Sequence, residues 1–152
     1  MTEPTSLGNE LLRSAARLSR WASRHASFDV PFAQARLLAL LDELGPSRVS
    51  TLAAADHSSQ PSVTTQVHRL EAAGWVERAT DPDDARASLV TLSPAGKEAL
   101  EDVRRARVAV LAPALDGLDA TALARIRVAI EVLDDLLASA AEASSPPNRK
   151  DG

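Results

Sequence analysis

The apolar positions of this chain follow two rhythms. Up to Ala73, and again after Pro94, they return every three or four residues, the spacing of one helix face. Between Trp75 and Leu92 the runs are shorter and interrupted by an Asp/Pro-rich segment, as in two strands around a turn. In the first helix, expected over Leu7–Ala26, the residues Leu7, Leu11, Ala15, Leu18, Ala22 and His25 share a face, and Arg13, Arg17, Arg20 and Arg24 form a stripe opposite. Pro31 suits a first helical turn, so a second helix is expected over Pro31–Glu43, stopped by Gly45-Pro46. Ser50 offers a cap for a short third helix, Thr51–Ala55. A polar turn, His57 to Gln60, leads to a fourth helix that opens at Pro61 and ends at Gly74.

Strands are expected at Trp75–Thr80 and Ala87–Leu92, joined by the loop Asp81–Arg86. Ser93-Pro94 pairs a cap with a first-turn proline, so a fifth helix should run to about Leu111, before Pro113. Asp119 can cap the last helix, where Leu123, Ile126, Ile130, Leu133 and Leu137 make a narrow seam of the coiled-coil kind. The tail from Ser144 to Gly152 is polar and Pro-rich, and is expected to be disordered. The central order is helix, turn, helix, strand, loop, strand. That is a helix-turn-helix with a β-wing, an arrangement that reads duplex DNA. The fold class is mainly α with a small β-wing.

Composition removes several alternatives. The chain has 152 residues and is 45% hydrophobic but only 3% aromatic, so its core must be built from Leu, Val and Ala. With no cysteine, disulfides, thiolate metal sites and thiol-based sensing are excluded. The three histidines, His25, His57 and His68, fit no metal-ligand spacing, and no cofactor is expected. No apolar run is long enough to span a membrane, and the first residues lack the pattern of a secretory signal, so a cytoplasmic protein without a membrane partner is expected. Serines, histidines and aspartates are present, but in no nucleophile elbow, metal motif or phosphate-binding glycine loop, so an enzyme is not expected.

The fourth helix carries the candidate chemistry. Val63, Val67 and Leu70 lie on one face; Thr65, His68 and Arg69 lie on the other, with Ser62 and Thr64 at its edges. Small hydroxyl side chains let a helix backbone approach base edges, and Arg can bond guanine through two nitrogens. Ser59 and Gln60 precede the helix, where unpaired backbone N–H groups favour phosphate. Arg86, near the hairpin tip, can reach into a narrow minor groove, and Asp84 can pair with it or orient it.

Taken together, Leu52-Ala53, Ser62-Val63-Thr64, Arg69-Leu70-Glu71, Gly74, Glu77-Arg78, Asp83-Asp84-x-Arg86 and Leu92-x-Pro94-x-Gly96 resemble the MarR family of bacterial transcription regulators. The resemblance covers nearly the whole chain. It implies a homodimer of winged helix-turn-helix subunits on a pseudo-palindromic duplex, often a repressor that releases DNA when a small-molecule effector binds. It makes the fourth helix the recognition helix, Arg86 the wing arginine and Asp84 its supporting acid. The implied organisation is an N-terminal dimerisation helix in residues 1–30, the DNA-binding domain in 31–96, C-terminal dimerisation helices in 97–141 and a disordered tail in 142–152. Dimer contacts are expected at Leu11, Leu18, Leu123, Ile126, Ile130, Leu133 and Leu137. An effector pocket is expected among Trp21, His25, Phe28, Phe32 and Arg36.

Charge runs against this reading. The formal net charge is −4, and from Val49 to Leu92 the arginines Arg69, Arg78 and Arg86 face six carboxylates, Asp56, Glu71, Glu77, Asp81, Asp83 and Asp84. Phosphate neutralisation should therefore be modest. Arg48, Arg104, Arg105 and Arg107 add to it only if they face the duplex. The alternative is a winged-helix protein-interaction module that does not touch DNA, because a fold alone does not fix a function.

Overall fold

A computed structural model describes residues 2–144. The chain is mainly helical, with one two-stranded antiparallel sheet. Its elements are α1 (Glu3–His25), α2 (Phe32–Leu44), α3 (Val49–Asp56), α4 (Gln60–Ala72), β1 (Val76–Asp81), β2 (Asp84–Leu92), α5 (Pro94–Asp116) and α6 (Ala120–Ser144). By contacts the chain divides into two units, one up to Val110 and one from Leu111. Of the tail expected to be disordered, Ser144 still belongs to α6, and 145–152 lie outside the described residues.

Four boundaries differ from the sequence expectation, each for a local reason. α1 begins at Glu3 rather than Leu7, because Pro4 sits in the first turn, where its missing N–H costs nothing, and Glu3 favours the positive helix end. α3 begins at Val49, with Arg48 as its cap residue, so Ser50 is not the cap. Ser47 exchanges two backbone hydrogen bonds with Val90 of β2, 3.0 and 2.8 Å long, and the chain turns into the helix directly from that bridge. α5 passes through Pro113 to Asp116 instead of ending at Leu111. A proline removes one helical hydrogen bond but does not stop the turns that follow it from forming. β2 begins at Asp84, not Ala87, so the hairpin loop shrinks to Pro82-Asp83.

The core of the first unit draws on every element from α2 to α5. Leu37, Leu38 and Leu41 of α2 meet Leu52 of α3, Val63, Val67 and Leu70 of α4, Val76 and Val90 of the hairpin, and Leu100 and Val103 of α5. Fully burying each Leu or Val contributes about 1.5–3 kcal/mol. This core fixes α4 against α2 and α3 and the hairpin behind it. Two predicted caps are present: Ser93 Oγ accepts the Gly96 N–H at 3.0 Å, and Asp119 Oδ1 accepts the Ala122 N–H at 2.7 Å.

In the second unit, α6 is a helix of 25 residues with none buried. Its Leu123, Ile126, Ile130 and Leu137 are exposed and Leu133 is half-buried. Among the described residues no helix is long and apolar enough to cross a membrane.

Candidate nucleic-acid interface

α4 is built to bury one face and present the other. Ser59, with extended backbone, caps it: its Oγ accepts the Ser62 N–H at 3.2 Å and donates to Ser62 Oγ at 2.9 Å. Val63, Val67 and Leu70 are buried. Gln60, Ser62, Thr65, His68 and Arg69 are exposed, and Thr64 is half-buried. Thr64, Thr65, His68 and Arg69 line one shallow hollow with Ala72. The hydroxyls of Ser59, Ser62 and Thr65 already serve the helix, since Thr65 Oγ1 donates to the Pro61 carbonyl at 3.0 Å. Gly74, at φ +75°, lets the chain leave α4 sharply for β1.

A buried carboxylate fixes the turn into α4. Asp56, at the end of α3, accepts from Arg36 Nε at 2.9 Å and Nη2 at 3.1 Å, and from Ser58 Oγ at 2.5 Å. The Arg36 hydrogen bonds hold its carboxyl below the usual range; burial opposes them and Ser58 adds to them. The next residue, His57, takes the left-handed conformation at φ 53° and reverses the chain.

The wing is irregular at its outer end. Pairing runs in register from Val76↔Leu92 to Thr80↔Ser88, then jumps to Asp81↔Asp84, leaving Ala85, Arg86 and Ala87 without partners on β1. Such a bulge turns side chains away from the regular pleat. Arg86 therefore sits on this bulge, and Pro82-Asp83 form the tip. Asp84 does not pair with the Arg86 guanidinium; its Oδ1 accepts the Arg86 backbone N–H at 3.0 Å. A carboxylate two residues before an amide closes a local turn more readily than it reaches that residue's side-chain end. Asp81, only 6% exposed, is the other fixed point. Its Oδ1 accepts the Asp83 N–H at 2.9 Å and its Oδ2 takes Arg48 Nε at 2.7 Å. These bonds, the backbone one first, hold its carboxyl below the usual range.

The arginines divide sharply. Arg48 is held by Asp81, Arg78 by Glu71, Arg104 by Asp42 and Glu101, and Arg105 by Asp102. Arg107 donates to Ser19 Oγ at 2.8 Å. Arg48, Arg104, Arg105 and Arg107 are thus committed within the chain rather than free for phosphate. Arg69 and Arg86 are in no salt bridge among the described residues.

The five residues expected to form one pocket are split. Trp21 stacks on His25, with ring centroids 4.5 Å apart, and Phe28 meets Phe32 edge to face at 5.6 Å. Arg36 is drawn to Asp56, 20 residues further on, which no local pattern signals. Only Phe28 of the five lines the hollow between the α1–α2 connection and the start of α5, beside Val30, Trp75, Glu98 and Asp102. Trp75 was the missed residue; its place directly after Gly74 was the available signal.

The MarR family model matches residues 32–88, from α2 into β2. Over 128 residues the chain is 32% identical to an uncharacterized HTH-type transcriptional regulator of Mycobacterium bovis, a match spanning 84% of this chain and 90% of that one. A transcriptional regulator from Thermotoga maritima shares the fold with a TM-score of 0.70 at 24% identity, over 90% of this chain and 98% of that chain. Wild-type MarR from E. coli, in its apo form, gives a TM-score of 0.65 at 23% identity, over 84% of this chain and 96% of that chain.

Proposed function

Because the chain belongs to the MarR family and is an HTH-type transcriptional regulator, not an enzyme, we propose that it works in the cytoplasm as a homodimeric repressor on a pseudo-palindromic duplex and releases it when a small molecule binds. α4 enters the major groove, where Gln60, Thr64, His68 and Arg69 meet base edges while Ser59, Ser62 and Thr65 meet phosphates at its N-terminal end. Arg86 follows the minor groove, with Asp84 shaping the backbone beneath it. The observation that carries this reading is the pairing of an open polar α4 face with two uncommitted arginines, Arg69 and Arg86, while the neighbouring arginines are tied to carboxylates or hydroxyls.

The dimer reading is supported by exposed apolar residues in each unit. Leu123, Ile126, Ile130, Leu133 and Leu137 run along α6, and Leu11 and Leu18 stand exposed on α1. The effector reading is supported by the hollow at Phe28 and Trp75, which adjoins the exit of α4.

Fluorescence anisotropy with duplex from the gene's own upstream region, against scrambled duplex at two salt concentrations, tests the proposal. Sequence-preferring binding that weakens steeply with salt is expected. Salt-independent behaviour, with no duplex bound even after selection from random sequence, would overturn it in favour of a protein-interaction module.

A further inference from the structure

A continuous set of contacts links the start of α3 to the wing arginine. Arg48, the residue that opens α3, grips Asp81 through Nε and Nη2, at 2.7 and 2.5 Å. Asp81 holds the turn through the Asp83 N–H, and Asp84, its register partner, holds the Arg86 N–H. Between Asp84 and Ser88 the ladder itself offers no pairing to Ala85, Arg86 or Ala87. The backbone that carries Arg86 is therefore oriented by carboxylates where a regular hairpin would use strand hydrogen bonds. We propose that Asp81 is a positioning residue for DNA binding: anchored by Arg48, it sets the angle at which the wing presents Arg86.

This inference rests on the wing contact proposed above, and its sign separates it from simple electrostatics. Asp81 is a negative charge on a DNA-facing element, and it neutralises Arg48. If Asp81 only contributed charge, Asp81→Asn would remove repulsion and free Arg48, and DNA binding would tighten. If Asp81 positions Arg86, the same change weakens binding. Asparagine keeps the oxygen that accepts the Asp83 N–H but loses the charge that holds Arg48, so the turn survives and only its anchor is cut.

The test is a double-mutant cycle, read by anisotropy on a duplex selected from random sequence with the wild-type chain. Asp81→Asn should weaken binding by about five- to tenfold, within the range expected for loss of one arginine contact. In an Arg86→Ala background the same substitution should cost nothing or tighten binding slightly. Arg48→Gln, at a half-exposed side chain, should repeat the pattern and serves if Asp81→Asn folds poorly. Without DNA, hydrogen exchange of amides 82–88 should quicken in Asp81→Asn while those of α4 stay unchanged. Equal losses in both backgrounds, tightening in both, or unaltered exchange in the wing would overturn the positioning role. If Arg86→Ala alone leaves affinity unchanged, the wing contact itself fails, a separate result.

Discussion

Gly96 lies against the backbone of Trp75 so closely that a Cβ added to it would stand 1.9 Å from the Trp75 carbonyl oxygen and 2.8 Å from its carbonyl carbon. Ser93 locks the same junction: its Oγ donates to the Gly74 carbonyl at 2.6 Å, and its N–H donates to the Trp75 carbonyl at 3.1 Å. The recognition helix exits into this joint and α5 starts from it. Backbone cannot rotate aside as a side chain can, so Gly96→Ala must lift α5 from its seat. A loss of about 1–3 kcal/mol or more is expected, seen as a lower urea midpoint. Gly8→Ala is the control. Nothing lies within 4 Å of a Cβ there, and replacing a helical glycine should be neutral or stabilising, by up to about 1 kcal/mol. Similar midpoints for the two variants would show that the joint is loose.

Stability should fall in acid for a reason that can be assigned. The carboxyls of Asp56 and Asp81 are both held below the usual range by their hydrogen-bond donors. A folded-state value below the unfolded one stabilises the protein at pH above the unfolded value, about 3.9, and that contribution disappears as pH drops through the folded value. On this account melting temperature should be level from about pH 7 to 5 and fall below about pH 4. Asp56→Asn should destabilise by about 1–2 kcal/mol at pH 7, less than a fully buried pair because Arg36 is largely exposed. It should also flatten the acid limb. An acid limb as steep as that of the parent would remove Asp56 from the account.

The periodic parts of this molecule were readable before any coordinates. Val63, Val67 and Leu70 sit at helical spacing and are buried together, and Ser93 and Asp119 cap the helices their positions announced. What stayed hidden depends on contacts between distant residues. The early start of α3 follows from Ser47 bridging to Val90, 43 positions away. The outer wing was read as a six-residue loop because Asp81 and Asp84 look like turn residues, and their side chains in fact continue the hairpin by bonding backbone amides. The charge of the reading head misled in the same way. Counting showed an acidic segment, but several of its carboxylates are matched to particular arginines, and Arg69 and Arg86 are left outside those pairs.

Arg86→Ala should weaken duplex binding with little effect on the fold, since its exposed side chain carries no salt bridge among the described residues. Affinity should fall by about 1–2 kcal/mol, and the slope of log affinity against log salt should shrink by about one for each copy bound. The melting temperature should move by less than a degree or two, about the scatter of a neutral surface change. Parallel loss of melting temperature and affinity would make Arg86 a structural residue of the hairpin.

The row on α6 supplies the test of assembly. Ile130 is 53% exposed in the single chain and stands in the middle of the sequence Leu123, Ile126, Ile130, Leu133, Leu137. Spacings of three and four keep these side chains on one stripe, the pattern that lets two helices bury a seam. A carboxylate placed there would enter the interface unpaired, at a cost of several kcal/mol. Ile130→Asp should therefore sediment as a monomer at concentrations where the parent chain is a dimer. Val128→Asp is the matched control: Val128 is equally exposed, at 57%, but lies roughly 200° around the helix from Ile130. It should remain dimeric. If the protein reads a two-fold site, Ile130→Asp should also lose most of its affinity for a full palindrome while keeping that for a half-site, because only the link between the two readers is cut. A dimer unchanged by Ile130→Asp would move the interface away from this stripe.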